Sequence, residues 1–162
     1  DYKYLLLDIE GCTTAISFVK DVLFPYVIEH VDDYIAKNLS AEEQETLLQA
    51  LKAELKPEQT TEVGKLGPAA IVKYMVKNDL KVASLKSLQG KMWKDGYMNG
   101  TLKGHVYEDF VPMLKWMSDQ SVKVYIYSSG SVQAQKLLFG SSIKGDLTKH
   151  FSGHFDITTS GN

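Results

Sequence analysis

Two short polar segments, each directly after an apolar run, carry side chains that could do chemistry. The first is Asp8-Ile9-Glu10-Gly11. Its two carboxylates flank a turn that Gly11 can close, so one could attack an electrophile while the other transfers a proton. Acidic residues and glycine are also common in plain turns that follow strands. Taken alone, the segment favours the plain turn slightly over the catalytic pair.

The second segment is Ser128-Ser129-Gly130-Ser131. Hydroxyl groups and backbone N–H groups at the start of a helix are well suited to bind a phosphate group. The alternative is ordinary capping, in which Ser131 begins the next helix and the other residues only fill the loop. The pairing of an acidic loop with a Ser-Gly loop favours a shared site.

Strands must bring these two segments together. Leu5, Leu6 and Leu7 are consecutive, which predicts a parallel strand buried on both faces. Val122–Tyr127 is a second such strand, and His154–Ile157 is a weaker third. Because ligands bind beyond the carboxyl ends of parallel strands, we expect the two polar segments to lie at one edge of the sheet.

Helical patterns fill most of the remaining chain. Apolar residues recur at helical spacing over Ser17–Lys37, with a break at Pro25. Ser40 and Glu43 have the spacing of a capping box. The polar stretch 56–67 is interpreted as a loop. Further helices are predicted from Pro68, over about 83–98, over 107–118 and over 132–139.

The order of these elements predicts an α/β fold with a parallel sheet. The stretch between Ala15 and about Gly104 is too long for a simple crossover connection, and we predict that it forms an inserted all-helical subdomain. The predicted organisation is therefore an α/β core formed by 1–14 and 105–162, with a helical insertion over 15–104.

Composition narrows the class of protein. Hydrophobic residues make up 44% of the 162 residues and charged residues 23%, which is typical of a globular chain. The net charge of −2 gives no reason to expect nucleic acid or a membrane surface as a partner. The single cysteine, Cys12, excludes an intrachain disulfide, and no apolar run could span a bilayer. We expect a soluble cytoplasmic protein, with the nucleus as a second location.

Both polar segments resemble the motifs of the haloacid-dehalogenase (HAD) hydrolases, whose first strand ends in Asp-x-Asp-x-Thr and whose second motif ends a strand in Ser or Thr. Longer blocks resemble one family of that group, the acireductone synthases, which are the enolase-phosphatases of methionine salvage. These blocks are Asp8–Gly11, Ile16–Tyr26, Leu88–Trp93, Val124–Val132 and Ala134–Gly140.

The resemblance implies a role for each candidate residue. Asp8 falls on the nucleophile, which forms a phospho-aspartate and binds Mg²⁺. Glu10 falls on the acid/base position, and its backbone carbonyl is a metal ligand. Ser128 and Ser129 fall on the contacts to the substrate phosphate. The insertion over 15–104 corresponds to the family's helical cap, so the fold would be a HAD-like Rossmannoid sheet with a cap.

The implied reaction converts 2,3-diketo-5-methylthiopentyl-1-phosphate to acireductone and phosphate. Mg²⁺ is the implied cofactor, a hard cation that prefers oxygen ligands and bridges carboxylates and phosphate. The implied partner is this small phosphorylated substrate, with no nucleic acid or membrane, and we expect the complete protein to be a monomer. The alternatives are a HAD phosphatase for another small phosphoester, and a non-catalytic truncated product that binds a partner through its helices.

Some positions depart from the family pattern. Cys12 stands where the motif usually has Thr, and we interpret it as a small buried filler. The family's third-motif lysine and fourth-motif carboxylate are not found, so the chain is predicted to be truncated at its C-terminus and inactive. The loop charges are interpreted as solvated surface: Lys144, Asp146, Lys149 and Asp156. The four histidines show no metal-ligand spacing and are interpreted as surface or loop residues: His30, His105, His150 and His154.

Overall fold

A computed structural model describes residues 2–159. Within them, one parallel sheet has the strand order β1-β2-β3, formed by β1 (Tyr4–Leu7), β2 (Lys123–Tyr127) and β3 (Phe151–Phe155). The α-helices are α1 (Ile16–Phe18), α2 (Phe24–Asn38), α3 (Ala41–Ala53), α4 (Pro57–Val63), α5 (Pro68–Lys77), α6 (Ala83–Met98), α7 (Phe110–Asp119) and α8 (Val132–Gly140). A π-helical segment, Val19–Leu23, precedes α2, and a 3₁₀ turn, Thr148–His150, precedes β3. The predicted class, a parallel α/β sheet interrupted by an all-helical stretch, is confirmed.

The chain divides into two compact units. One is built from the chain up to Val22 and again from Trp93 onward, and it holds the sheet. The other, Leu23–Met92, contains helices and the turns that connect them, with no strand among its residues. None of the helices within residues 2–159 is long and apolar enough to cross a membrane.

Helix α5 is the centre of the helical unit, because α2, α3 and α4 all pack against it. Fully burying a Val, Ile, Leu or Met side chain contributes about 1.5–3 kcal/mol to stability. The residues of α2 and α5 that do so are Val27, Val31, Ile35, Ile71, Val72, Met75 and Val76. Pro25 lies in the first turn of α2 as predicted, where its missing N–H is tolerated. The predicted capping box of Ser40 and Glu43 is also present.

The interpretation of 56–67 as a loop is wrong, since Pro57–Val63 forms α4. Pro57 supplies a favourable first helical residue, and the backbone N–H of Lys56 donates to Gln59 Oε1 at 2.9 Å. Val63 of this short helix is buried, and the helix packs on α5. One buried residue in seven gives too little periodicity for a sequence pattern to detect.

In the sheet unit, α7 packs on β2 and α8 packs on β3. Val124 and Ile126 of β2 are buried. The rings of Phe110, Phe139 and Phe151 form an aromatic cluster, in which the centroids of Phe139 and Phe151 lie 4.7 Å apart. This cluster joins α7 and α8 to the first residue of β3.

The prediction that β1 is buried on both faces is wrong for the described residues. Its side chains alternate between half-buried and exposed, with Tyr4 64% and Leu6 60% exposed. Within residues 2–159, β1 is an edge strand whose neighbour is β2. The sequence shows that Leu6 is apolar, but it does not show which face of the strand is covered by other parts of the chain.

The third strand is present, but it lies earlier than predicted, at Phe151–Phe155 rather than His154–Ile157. Asp156 ends it, because its carboxylate accepts hydrogen bonds from the backbone N–H groups of Thr158 and Thr159 and so closes a turn.

Candidate functional site

The first polar segment leaves β1 in a tight turn. Asp8 directly follows the strand, and its Oδ1 accepts the backbone N–H of Ile9 at 2.7 Å. Gly11 has φ of 77°, a conformation that favours glycine, and lets the chain reverse. The Ile9 carbonyl then accepts the N–H groups of the next three residues, Cys12, Thr13 and Thr14, at 3.0–3.2 Å. The turn leaves the side chains of Asp8 and Glu10 exposed.

The turn is anchored by two buried threonines that sequence analysis did not single out. Thr13 and Thr14 are 1% and 0% exposed. The Thr14 hydroxyl donates to the carbonyl of His105 at 2.8 Å, and the Ala15 N–H donates to His105 Nδ1 at 3.0 Å. His105 is a loop residue, as predicted, and it is half-buried because it anchors the turn. Two adjacent threonines after a polar turn were the only local signal.

Cys12 lies in the same turn and is exposed, so its interpretation as a buried filler is wrong. The backbone N–H of Cys12 closes the turn, while the two threonines that follow it enter the interior. The thiol therefore occupies the solvent side of the segment.

The parallel register brings the second polar segment to the first. Leu7 pairs with Ile126, so Asp8 and Ser128 follow the last paired residues of neighbouring strands. A cleft of about 330 Å³ lies at this edge. The residues that line it are Leu6, Leu7, Asp8, Glu10, Tyr127, Ser128 and Ser129. The structure thus brings together all four candidate residues that sequence analysis had placed in separate loops.

Ser128 is held at the base of the loop. It is 7% exposed, and its N–H donates to the carbonyl of Phe155 at 3.2 Å. Its hydroxyl oxygen accepts the N–H of Gly130 at 3.2 Å. A hydroxyl that accepts one hydrogen bond can still donate its own proton to a ligand oxygen. Ser129 is exposed beside it.

The start of α8 is arranged differently from the prediction. The sequence predicts backbone N–H groups that face an anion, whereas Val132 N–H donates to Asp156 Oδ2 at 2.9 Å. Ala134 N–H donates to the hydroxyl of Ser131 at 3.2 Å, which is the ordinary capping that was the alternative for this segment. These two N–H groups are therefore already bonded to side chains of the protein.

Asp156 is consequently not the solvated surface residue that we predicted. It is 6% exposed, and Thr158 donates both its backbone N–H and its hydroxyl to Asp156 Oδ1 at 2.8 and 2.6 Å. The pKa of the Asp156 carboxyl is lowered to about 2, chiefly by the Thr158 hydroxyl and then by the Val132 N–H. The other loop charges, Lys144, Asp146 and Lys149, are exposed as predicted.

Gln135 is a second residue that sequence analysis missed. It is 1% exposed, and its Nε2 donates to the carbonyls of Gly130 and Phe155 at 3.0 and 2.8 Å. Its Oε1 lies 3.1 Å from His154 Nδ1, which must then carry the proton. Burial lowers the pKa of His154, a half-buried strand residue rather than a surface one. A glutamine on the buried face of α8, one turn before Leu138 and Phe139, was the available signal.

The atoms at this edge that could bind a divalent cation are oxygens. The bridge between Glu10 and Thr14 is formed by Thr14 N–H to Ile9 O and Gly11 N–H to Thr14 O. Neither bond uses the Glu10 carbonyl, which can serve as a ligand beside the Asp8 carboxylate. Among residues 2–159 there is no group of three or more His, Cys, Asp or Glu side chains that could hold a metal ion. The chemistry of the donor set fits Mg²⁺, which is commonly held by one or two carboxylates and substrate phosphate.

Comparison with known proteins gave close relatives, although no protein-family model matches the chain. The chain is 47% identical over 159 residues to Enolase-phosphatase E1 of Pseudomonas aeruginosa, covering 98% of this chain and 69% of that protein. It is 44% identical over 167 residues to Enolase-phosphatase E1 of Anopheles gambiae, covering 95% of this chain and 57% of the mosquito protein.

One solved structure is similar over the whole chain. It is the Unknown transcript 4 protein of Saccharomyces cerevisiae, with a TM-score of 0.74 and 35% identity, covering 100% of this chain and 70% of the yeast chain. The chain therefore spans between about half and two thirds of the length of several proteins that it matches.

Proposed function

Because this chain belongs to the enolase-phosphatase E1 family, we propose that its cleft is the phosphate site of a Mg²⁺-dependent enolase-phosphatase. The proposed reaction converts 2,3-diketo-5-methylthiopentyl-1-phosphate to acireductone and phosphate in methionine salvage. The observation that carries the proposal is the convergence of Asp8, Glu10, Ser128 and Ser129 on one cleft at the carboxyl ends of β1 and β2.

In this proposal, Asp8 is the nucleophile. A carboxylate oxygen attacks phosphorus, the bond between phosphorus and the ester oxygen breaks, and an aspartyl phosphate remains on Asp8. Water then attacks that phosphorus, which releases inorganic phosphate and restores the carboxylate. The hydrogen bond from Ile9 N–H to Asp8 Oδ1 supports the role, because it orients the side chain at the mouth of the cleft.

Glu10 is the proposed acid/base residue. It lies two residues after Asp8 and lines the same cleft, so it can protonate the leaving oxygen and later accept a proton from water. Enolisation needs a proton removed from carbon and one added to a carbonyl oxygen, and the side chain of Glu is about one carbon longer than the Asp of most HAD phosphatases. That extra reach suits a residue with two proton-transfer tasks.

Ser128 and Ser129 are the proposed phosphate contacts, with hydroxyls at the end of β2. The Asp8 carboxylate and the Glu10 carbonyl would hold Mg²⁺, whose charge offsets repulsion between Asp8 and an anionic ester. We further propose that the all-helical unit Leu23–Met92 belongs to the cap that we predicted over 15–104, and that the complete protein is a cytoplasmic monomer.

There are two alternatives to this function, another substrate and a non-catalytic product. Another small phosphoester could be the substrate, but the high identity to enolase-phosphatases over almost the whole chain favours the methionine-salvage compound. The second alternative, a non-catalytic truncated product, applies only if the protein consists of these 162 residues and no more. We propose that they release little phosphate by themselves, because the family's third-motif lysine and fourth-motif carboxylate do not fall within them.

The experiment is a phosphate-release assay with Mg²⁺ on the longest natural form that contains these residues, called here the full-length form, and on the 162-residue chain. Asp8→Asn in the full-length form should abolish release, because the amide keeps the shape but lacks the nucleophilic charge. Asp33→Asn, an exposed Asp of α2, is the matched control and should keep the parent rate. Release near the parent rate by Asp8→Asn would disprove the nucleophile assignment.

A further inference from the structure

We propose that Asp156 and Gln135 are positioning residues that hold the Ser128–Ser131 loop in the geometry that binds the substrate phosphate. Neither residue lines the cleft, and both act on the loop from the side of β3. The inference rests on the proposed function and deepens it, because it names the residues that fix the loop geometry on which phosphate binding depends.

Asp156 supplies one of two attachments. Its Oδ2 accepts the N–H of Val132, the residue that directly follows the loop, at 2.9 Å. Its Oδ1 is occupied by the turn to Thr158, so the carboxylate itself has a single orientation. The position of the loop's C-terminal end is therefore tied to the end of β3 through an ionised, buried side chain.

Gln135 supplies the other attachment. Its Nε2 donates to the Gly130 carbonyl inside the loop and to the Phe155 carbonyl at the end of β3. The Phe155 carbonyl also accepts the N–H of Ser128 at 3.2 Å. A hydrogen bond from His154 to Oε1 fixes the orientation of the amide, so both N–H groups of Nε2 face the loop and the strand.

Together these bonds hold the loop at three successive points, Ser128, Gly130 and Val132, against the last residues of β3. The loop cannot move away from the strand without breaking bonds to both side chains. Ser128 also accepts the Gly130 N–H, so a shift at Gly130 would displace the hydroxyl that faces the cleft. Misplacing a binding group by about 1 Å can cost up to about 10²-fold in rate.

The chain offers a matched control for Asp156. Asp146 forms the same local turn, accepting the N–H and hydroxyl of Thr148 on Oδ1 at 2.9 and 2.5 Å. Thr148 hydrogen bonds also lower its pKa. Asp146 is exposed and its carboxylate bonds within this local turn, so a comparison of the two variants isolates the effect of the bond to Val132.

The test uses the full-length form with Mg²⁺ and four variants: Asp156→Asn, Gln135→Met, Asp146→Asn and Ser128→Ala. Asn keeps the shape of Asp156 but cannot accept at both the turn and Val132. Met keeps the approximate size of Gln135 but has no N–H group. Inorganic phosphate is titrated and followed by the chemical shifts of the loop amides, and KM and kcat are measured separately.

We expect Asp156→Asn and Gln135→Met each to raise the Kd for phosphate and the KM about 10-fold, with kcat and the Kd for Mg²⁺ changed less than about 3-fold. Asp146→Asn should match the parent. A purely structural role would lower the active fraction and kcat while leaving both binding constants unchanged, and that result would overturn the proposal. Tighter phosphate binding by Asp156→Asn would also overturn it, because the carboxylate would then act only as a repelling charge.

Ser128→Ala separates this proposal from the proposed function. If Ser128→Ala weakens phosphate binding but Asp156→Asn and Gln135→Met do not, the positioning role is wrong and the phosphate site stands. If Ser128→Ala leaves phosphate binding unchanged, the phosphate site itself is wrong, and the positioning role is overturned with it.

Discussion

Thr14 donates its hydroxyl proton to the backbone carbonyl of His105 at 2.8 Å, joining two residues that are 91 positions apart in the sequence. Thr14 closes the turn that carries Asp8 and Glu10, and His105 lies just after the long helical stretch. The backbone N–H of Tyr107 reinforces the junction by donating to the Thr13 carbonyl at 3.0 Å. The turn is thus fixed to the segment of the sheet unit that leads into α7.

This junction predicts that Thr14→Val lowers the free energy of unfolding by about 1–3 kcal/mol, because the fully buried site loses its hydroxyl donor. Thr46→Val is the control, since the exposed Thr46 hydroxyl bonds only within α3, and it should change stability by less than about 0.5 kcal/mol. Urea unfolding of the parent and both variants measures the difference. Equal stabilities for the two variants would show that the junction contributes little.

The acid/base role of Glu10 predicts a loss of turnover without a loss of metal. Glu10→Gln removes the carboxyl that transfers protons but keeps the backbone carbonyl that we assign to Mg²⁺, so the full-length form should lose about 10²–10⁴-fold in kcat. The Kd for Mg²⁺ should stay within about 3-fold of the parent. Glu29→Gln, at an exposed position of α2, serves as the control. Normal turnover at saturating Mg²⁺ with weakened metal binding would reverse the assignment.

Asp156 predicts a specific pH dependence of stability. Its folded-state pKa, about 2, lies below the ordinary value of 3.8, so the folded state prefers the ionised carboxylate. This contribution is fully present above about pH 4 and is lost as the pH falls from about 4 toward 2. Urea unfolding at pH 6 and pH 3 should therefore show a smaller loss of stability on acidification for Asp156→Asn than for the parent. An identical loss in both proteins would contradict the assigned pKa.

The exposed edge of β1 predicts self-association of the 162-residue chain. Tyr4 and Leu6 are mostly exposed beside a strand whose neighbour within residues 2–159 is β2 alone, and such edges pair with other chains. Size-exclusion chromatography with light scattering should show mass rising with concentration. Tyr4→Lys should reduce the association, whereas Met98→Lys, which replaces a 76% exposed residue of α6, should not. A parent that stays monomeric across the concentration range would rule out this prediction.

Local patterns determined most of the elements, because each depends on residues that are close in sequence. Proline in the first turn of α2 and α5 and the Ser40–Glu43 capping box are local, and they are present as predicted. The Ser131 cap, which was the alternative for its segment, is local as well and is also present. The polar segments after β1 and β2 were also visible, because an apolar run followed by a polar turn is a short-range signal. The short helix α4 escaped detection because Val63 is its only buried residue.

The tertiary structure decided what depends on partners far along the chain. Asp156 was predicted to be solvated because its sequence neighbours are polar, yet it is buried against Val132, 24 residues away. Gln135 and Thr14 acquire their roles from Phe155 and His105, which no periodicity could reveal. The exposed face of β1 likewise follows from which side of the sheet α7 and α8 cover. The sequence by itself determined which residues could do chemistry, and packing decided which of them meet, because hydrogen bonds between distant residues form only once the strands have set their register.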